Sequence, residues 1–111
     1  MPVSDTKFFG GAIYNSISAT LNLHISKRVW TIVATAGQSV VLPDATLLKE
    51  GGPYFYIINL GAPSFALEDN DNTVLETVAG SGTTAESVLV ALAVNGSAAG
   101  TWFTLRRARV V

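Results

Sequence analysis

The sequence has no cysteine, one histidine and one methionine. The missing cysteine excludes disulfides, thiolate metal sites and cysteine nucleophiles together, so stability has to come from packing. Charge is scarce as well: 14% of residues are charged and the formal net charge is −1. No global field exists to draw the chain to nucleic acid or to an anionic membrane. Long apolar runs are also absent. The longest stretch without a polar side chain, "VLVALAV" (88–94), is far short of the ~20 residues a helix needs to cross a bilayer. The opening "MPVSDTKFFGGAIYNS" puts an acidic residue before its first lysine and lacks an apolar h-region. It does not read as a signal peptide, and synthesis and assembly in cytoplasm are expected.

What is present is apolar and extended. Hydrophobic residues make up 49% of 111 residues and the mean hydropathy is +0.40. That length fits one domain, and the surplus apolar surface on so small a unit predicts an oligomer. The clearest alternation runs from Ile17 to Ser26, "ISATLNLHIS", which predicts one half-buried strand with His24 on its wet face. "VWTIVA" (29–34) and "SVVLP" (39–43) follow as β-branched strands around the turn at Ala36–Gln38. Asp44 can cap a short helical turn that Gly51 and Gly52 end through their positive-φ freedom.

"YFYIINL" (54–60) has no polar face before Asn59, which predicts a central strand covered on both sides by this chain or by a neighbour. "SFALE" and "TVLETV" make a hairpin through Asp69–Asn72. "TAESVLVALAV" (84–94) tolerates helix or strand. We read it as a strand with Val88, Val90, Leu92 and Val94 on one face and small alanines, Ala85, Ala91 and Ala93, facing a second sheet. "TWFTLRRARVV" starts in the core and ends at a rim. About eight short strands without a long amphipathic helix predict an all-β fold, an antiparallel β-sandwich or jelly-roll-like domain over 17–111 with an extended N-terminal arm over 1–16. No internal repeat is visible.

Reactive chemistry is thin. His24 is explained as a solvent-facing side chain, and no G-x-S-x-G elbow sharpens a serine. "GSGTTA" (80–85) lacks the βαβ surroundings of a dinucleotide fingerprint and reads as a glycine-rich hairpin loop. "EDNDN" (68–72) gathers oxygen ligands without the spacing of a calcium loop and reads as an acidic hairpin tip. Neither a catalytic residue nor a cofactor or metal is expected. The interaction candidates are the aromatics Phe8, Phe9 and Tyr14 on the arm and the cations Arg106, Arg107 and Arg109 near the C-terminus. Each has a bland reading beside it: the aromatics cover one end of the core, and the arginines form a solvated edge that discourages strand pairing.

The pieces "LPDA", "GGPYFYIIN" and "NGSAAGTW", in that order between Leu42 and Trp102, resemble a β module of tailed-bacteriophage virion structural proteins, among head decoration proteins and fibre or tail components. The resemblance implies a non-enzymatic virion protein. At this length it points to a capsid decoration or cement protein on the capsid surface, a homotrimer at local threefold positions whose partner is the major capsid protein. Neither membrane nor nucleic acid is implied as a partner. The alternative is a tail or fibre component that binds host-surface carbohydrate, which would need Trp30, Tyr54 and Trp102 exposed.

Overall fold

The computed structural model describes residues 13–81 and 85–108. Nine strands lie within them: β1 (Ile13–Ile17), β2 (Leu21–Asn22), β3 (Val29–Ala34), β4 (Ser39–Val41), β5 (Pro53–Asn59), β6 (Phe65–Glu68), β7 (Val74–Val78), β8 (Glu86–Val94) and β9 (Thr101–Ala108). They form a five-stranded sheet A, ordered β1-β3-β5-β8-β9, and a four-stranded sheet B, ordered β2-β4-β6-β7. The all-β expectation holds, but the wholly antiparallel sandwich or jelly roll does not. β1, β3 and β5 run parallel in sheet A, and β2, β4 and β6 run parallel in sheet B. The first six strands therefore alternate between the sheets and wind as three coils, each coil giving one strand to each layer. Only the pairs β5/β8, β6/β7 and β8/β9 are antiparallel. They extend the coiled part on one side.

The physical reason lies in the corners. A strand that turns straight into the facing sheet cannot pair with its predecessor, so the next return lands beside the earlier strand in the same direction. This corrects the reading of Ile17–Ser26 as one strand. β1 ends at Ile17, the chain crosses between layers over residues 18–20, and β2 is only Leu21–Asn22. Ile17 and Leu23 are buried, while Ile25 is exposed and Ala19 is exposed too. The alternation was real, but it served two sheets. The coil is also a structural repeat that the sequence does not display, because the second coil carries an extra excursion through the 3-10 helix Ala45–Leu47. The expected arm over 1–16 does not hold for its last residues, since Ile13–Ile17 pair in register with Trp30–Ala34; residues 1–12 lie outside the described residues.

Other expectations hold. β3 alternates half-buried and buried along its whole length. Asp44 caps the 3-10 helix by accepting from the Thr46 N–H at 2.9 Å, and Gly51 and Gly52 take φ +90° and +69°. β5 is the third of five strands in sheet A. The β6/β7 hairpin forms, with Asp69 Oδ1 accepting from the N–H groups of Asp71 (2.9 Å) and Thr73 (3.0 Å).

The core is the space between the layers. Trp30, Ile32, Phe55, Ile57, Val88, Val90 and Leu92 come from sheet A, and Val40, Phe65, Leu67 and Val78 from sheet B. Each such side chain contributes about 1.5–3 kcal/mol on burial, enough to fix which face of every strand turns inward. Two details of β8 differ from expectation. A register shift between Leu92 and Val94 turns Val94 out of the shared face, leaving it 49% exposed. Ala91 pairs with Phe103, which is exposed, so it faces away from sheet B. "GSGTTA" joins β7 of one sheet to β8 of the other and is not a hairpin loop; its residues 82–84 lie outside the described residues.

Candidate interaction surface

Sheet A has a second face, and among the described side chains one row of it is apolar. One row across it contains Val29, Tyr56, Leu89 and Leu105, paired in register from β3 to β9. The next row contains Thr31, Ile58, Ser87 and Arg107. On the other flank Ala91 stands opposite Phe103. Phe103 and Leu105 are each 68% exposed, and Tyr56 and Leu89 are 39% and 38% exposed. None of these outward residues is acidic. The surface is not flat: a depression of about 380 Å³ lies between Tyr56, Ser87, Leu89, Leu105 and Arg107. A second, of about 220 Å³, continues beside it past Ile58 and Leu60 and has both Glu86 and Arg107 in its lining. The Tyr56 hydroxyl and Ser87 Oγ share a hydrogen bond of 3.0 Å on its floor. Adjoining exposed apolar side chains of this kind mark a binding surface more strongly than isolated ones do.

The sequence candidates distribute unevenly around it. Arg107 is on this face, beside the depression. Arg106, the next residue on β9, points the other way, and its guanidinium is 3.2 Å from Glu76 and 3.5 Å from Glu86. With the Thr104 hydroxyl donating to Glu76 at 2.6 Å, it fastens β9 of sheet A to β7 of sheet B at the open side of the core. Tyr14 lies on β1 with its backbone opposite Thr31, in the same row as Arg107 at the far edge of the sheet. Phe8, Phe9 and Arg109 lie outside the described residues. Sequence reasoning missed Tyr56, Leu89, Phe103 and Leu105 as surface residues. The signal was the apolar character of both faces of "YFYII" and "SVLVAL", which a strand buried on one side only does not need.

Other candidate chemistry resolves into local structure. His24 is exposed in the turn after β2. Its Nδ1 meets the Ser26 hydroxyl and its ring stands edge-on to Trp30 at 5.2 Å. The acidic hairpin uses its oxygens internally: Glu68 accepts from the Ser39 hydroxyl at 2.7 Å and from the Asn72 amide at 3.0 Å. These two hydrogen bonds, the Ser39 one foremost, hold the Glu68 carboxyl below its ordinary pKa. Among the described residues no group of three or more His, Asp or Glu side chains is placed to hold a metal ion. Trp30 and Trp102 are buried, at 2% and 8% exposure. The Tyr54 hydroxyl is tied to the backbone of Lys49.

The three pieces that carry the resemblance come together in space. Ala45 of "LPDA" donates its N–H to the carbonyl of Ala98 in "NGSAAGTW" at 2.9 Å. Asn95 reaches back to the Leu48 carbonyl at 2.8 Å, and Gly51 donates to Leu92 at 2.8 Å. The Tyr54 ring of "GGPYFYIIN" meets Trp102 edge-on at 6.3 Å. They form one knot at the end of the molecule where the β8/β9 connection seats on the 3-10 helix. Comparison with protein-family models, curated proteins and solved structures returns no match.

Proposed function

We propose that the chain is a non-enzymatic structural component of a tailed-phage virion, a capsid decoration protein that bridges and stabilises capsomers of the major capsid protein as a homotrimer. The observation that carries this reading is the outer face of sheet A, where Tyr56, Leu89 and Leu105 stand exposed around a depression and Phe103 is exposed on the same face. A five-stranded face is roughly 24 Å across from strand spacing and a similar length along the strands. Roughly 500 Å² per copy is then available, smaller than the ~800 Å² per partner of a standard interface and on the scale of a weaker contact repeated over many copies. Burial of that face in a larger assembly supplies binding free energy without any reacting group. The resemblance of "LPDA", "GGPYFYIIN" and "NGSAAGTW" to virion modules adds the kind of assembly. The carbohydrate-binding alternative needed an aromatic platform of Trp30, Tyr54 and Trp102, and both tryptophans are in the core.

Co-sedimentation with expanded capsids of the phage that encodes the chain tests the reading. Saturable binding and a rise in the capsids' resistance to heat are expected. No association, or equal association with unexpanded shells, would overturn it, since a cement protein of the kind the resemblance implies adds binding free energy only when the shell is in its mature geometry.

A further inference from the structure

We propose that β9 is a pairing edge for a second copy of this chain: two β9 strands run antiparallel about a two-fold axis at Leu105 and join two five-stranded sheets into one. The contact belongs to the free chain and goes beyond the functional reading, on which it does not depend. Its first ground is the kind of edge β9 is. Native sheets blunt their edges by shortness, proline, lysine or a bulge. β2 has two residues and β1 and β7 have five each, and β7 meets β6 through a register irregularity. β9 has eight residues, Thr101–Ala108, without proline, glycine or lysine. It pairs with β8 in unbroken register from Trp102 to Ala108, and among the described residues no strand lies on its other side.

The second ground is the direction of the main-chain groups. The Tyr56 N–H goes to the Arg28 carbonyl on the β3 side, so Phe55 and Ile57 turn their N–H and C=O toward β8, where their partners are Val90 and Val88. Leu92, of the same parity, gives its carbonyl to Gly51. Ser87, Leu89 and Ala91 therefore serve β9, opposite Arg107, Leu105 and Phe103. The N–H and C=O groups of Trp102, Thr104, Arg106 and Ala108 are left pointing off the sheet. An antiparallel copy centred on Leu105 sets Trp102 against Ala108 of the second copy and Thr104 against its Arg106. Both pairs repeat across the axis, giving about eight hydrogen bonds. No other two-fold register within β9 uses all four residues.

The third ground is what this register does with the side chains. Leu105 meets Leu105 of the second copy, so the apolar row Val29, Tyr56, Leu89 and Leu105 continues without a break into the same row of that copy. Phe103, 68% exposed, meets Arg107 of the second copy, a ring beside a guanidinium. The charges on β7, β8 and β9 are compatible with it. Arg106 is on the inner side, held by Glu76 and Glu86. Glu86 lines a depression together with Arg107, and its carboxylate also accepts from the Ala79 N–H at 2.9 Å. Arg109 lies outside the described residues. No arginine of β9 stands opposite an arginine, as would happen with the axis one residue further on, at Arg106. The same patch serves both copies, which is what a closed two-fold pair requires.

The absence of native cysteine permits a direct test in the full chain. Three single variants, Leu105→Cys, Phe103→Cys and Leu89→Cys, are oxidised mildly and followed by non-reducing electrophoresis. In the proposed pair the two Leu105 Cα atoms are about 4.5 Å apart, within disulfide range. The two Phe103 positions are separated by about 14 Å along the strands, and the two Leu89 positions by three strand spacings, also about 14 Å. An interchain disulfide forming about tenfold faster in Leu105→Cys than in either other variant is expected. Equal rates in Leu105→Cys and Phe103→Cys, which are equally exposed positions, would overturn the proposal. So would Leu89→Cys linking as fast as Leu105→Cys, which assigns the contact to stacked faces. A cysteine-free readout is the mass in solution. The parent should rise from one copy toward two with concentration, and Leu105→Lys, which sets two lysines opposite each other, should stay at one. A parent that stays at one copy, or a mass unaffected by Leu105→Lys, would overturn it. Both measurements use the isolated chain. Failure here with intact capsid binding removes only this inference, and success here with no capsid binding removes only the functional reading.

Discussion

At the residue scale, Asn59 shows how one polar side chain holds the layers together. It is 2% exposed. Its amide donates to the carbonyls of Pro63 (2.9 Å) and Val78 (3.1 Å), and its Oδ1 accepts from the Gly61 N–H at 2.9 Å. β5 of sheet A is thereby stitched to the corner that follows it and to β7 of sheet B. Asn59→Ala orphans all three backbone groups, and a loss of about 2–4 kcal/mol is expected in denaturant unfolding. Glu68 gives a pH-dependent counterpart. Its carboxyl is held below its ordinary pKa by Ser39 and then Asn72. A depressed folded-state pKa contributes stability that is present above the unfolded value and is lost as pH falls through the folded value. Ser39→Ala removes the larger cause, so the Glu68 carboxyl should titrate closer to an ordinary glutamate, about 4.3. The loss of stability on acidification should shrink with it. Carboxyl NMR titration and unfolding midpoints measured on either side of that pH check both statements.

At the scale of elements, the end knot depends on close approach. Gly100 has φ +70°, and a Cβ there would lie 2.5 Å from the Cβ of Ala45. Gly100→Ala should therefore push the β8/β9 connection off the 3-10 helix and cost about 1–3 kcal/mol, read as a lowered thermal midpoint. The elements that sequence reasoning found were those whose signals are local. β3 is a β-branched run with period two, Asp44 is a side-chain cap, and the Asp69–Asn72 turn needs asparagine in the left-handed region, where Asn72 sits at φ +65°. Their assembly was not legible. Whether a strand pairs parallel or antiparallel depends on which layer the next corner enters, and "SAT" at 18–20 contains neither the glycine nor the proline that would have announced one. The coils also differ in length, so no period appears. Arg106 and Arg107 look equivalent in sequence. Only the pleat of β9 sends one into an ion pair with Glu76 and the other onto the outer face.

At the scale of the whole molecule, one side of sheet A makes the core and the other is left apolar. β5 was expected to be covered on both sides, and within the chain's described residues one side is covered. The outer face is the candidate site, and its residues were partly legible as apolar positions without a polar alternation. What the sequence could not show was that Tyr56, Leu89 and Leu105 fall in one row, because that row exists only once β5, β8 and β9 are in register. Since those side chains are exposed, Leu89→Glu with Leu105→Glu should leave the fold within about 1 kcal/mol of the parent while placing two charges on the candidate surface. The most direct measurement is co-sedimentation of the parent chain and this double variant with expanded capsids, with unfolding run in parallel. The account predicts saturable binding by the parent and its loss in the equally stable variant. Binding by the variant as tight as by the parent would contradict it.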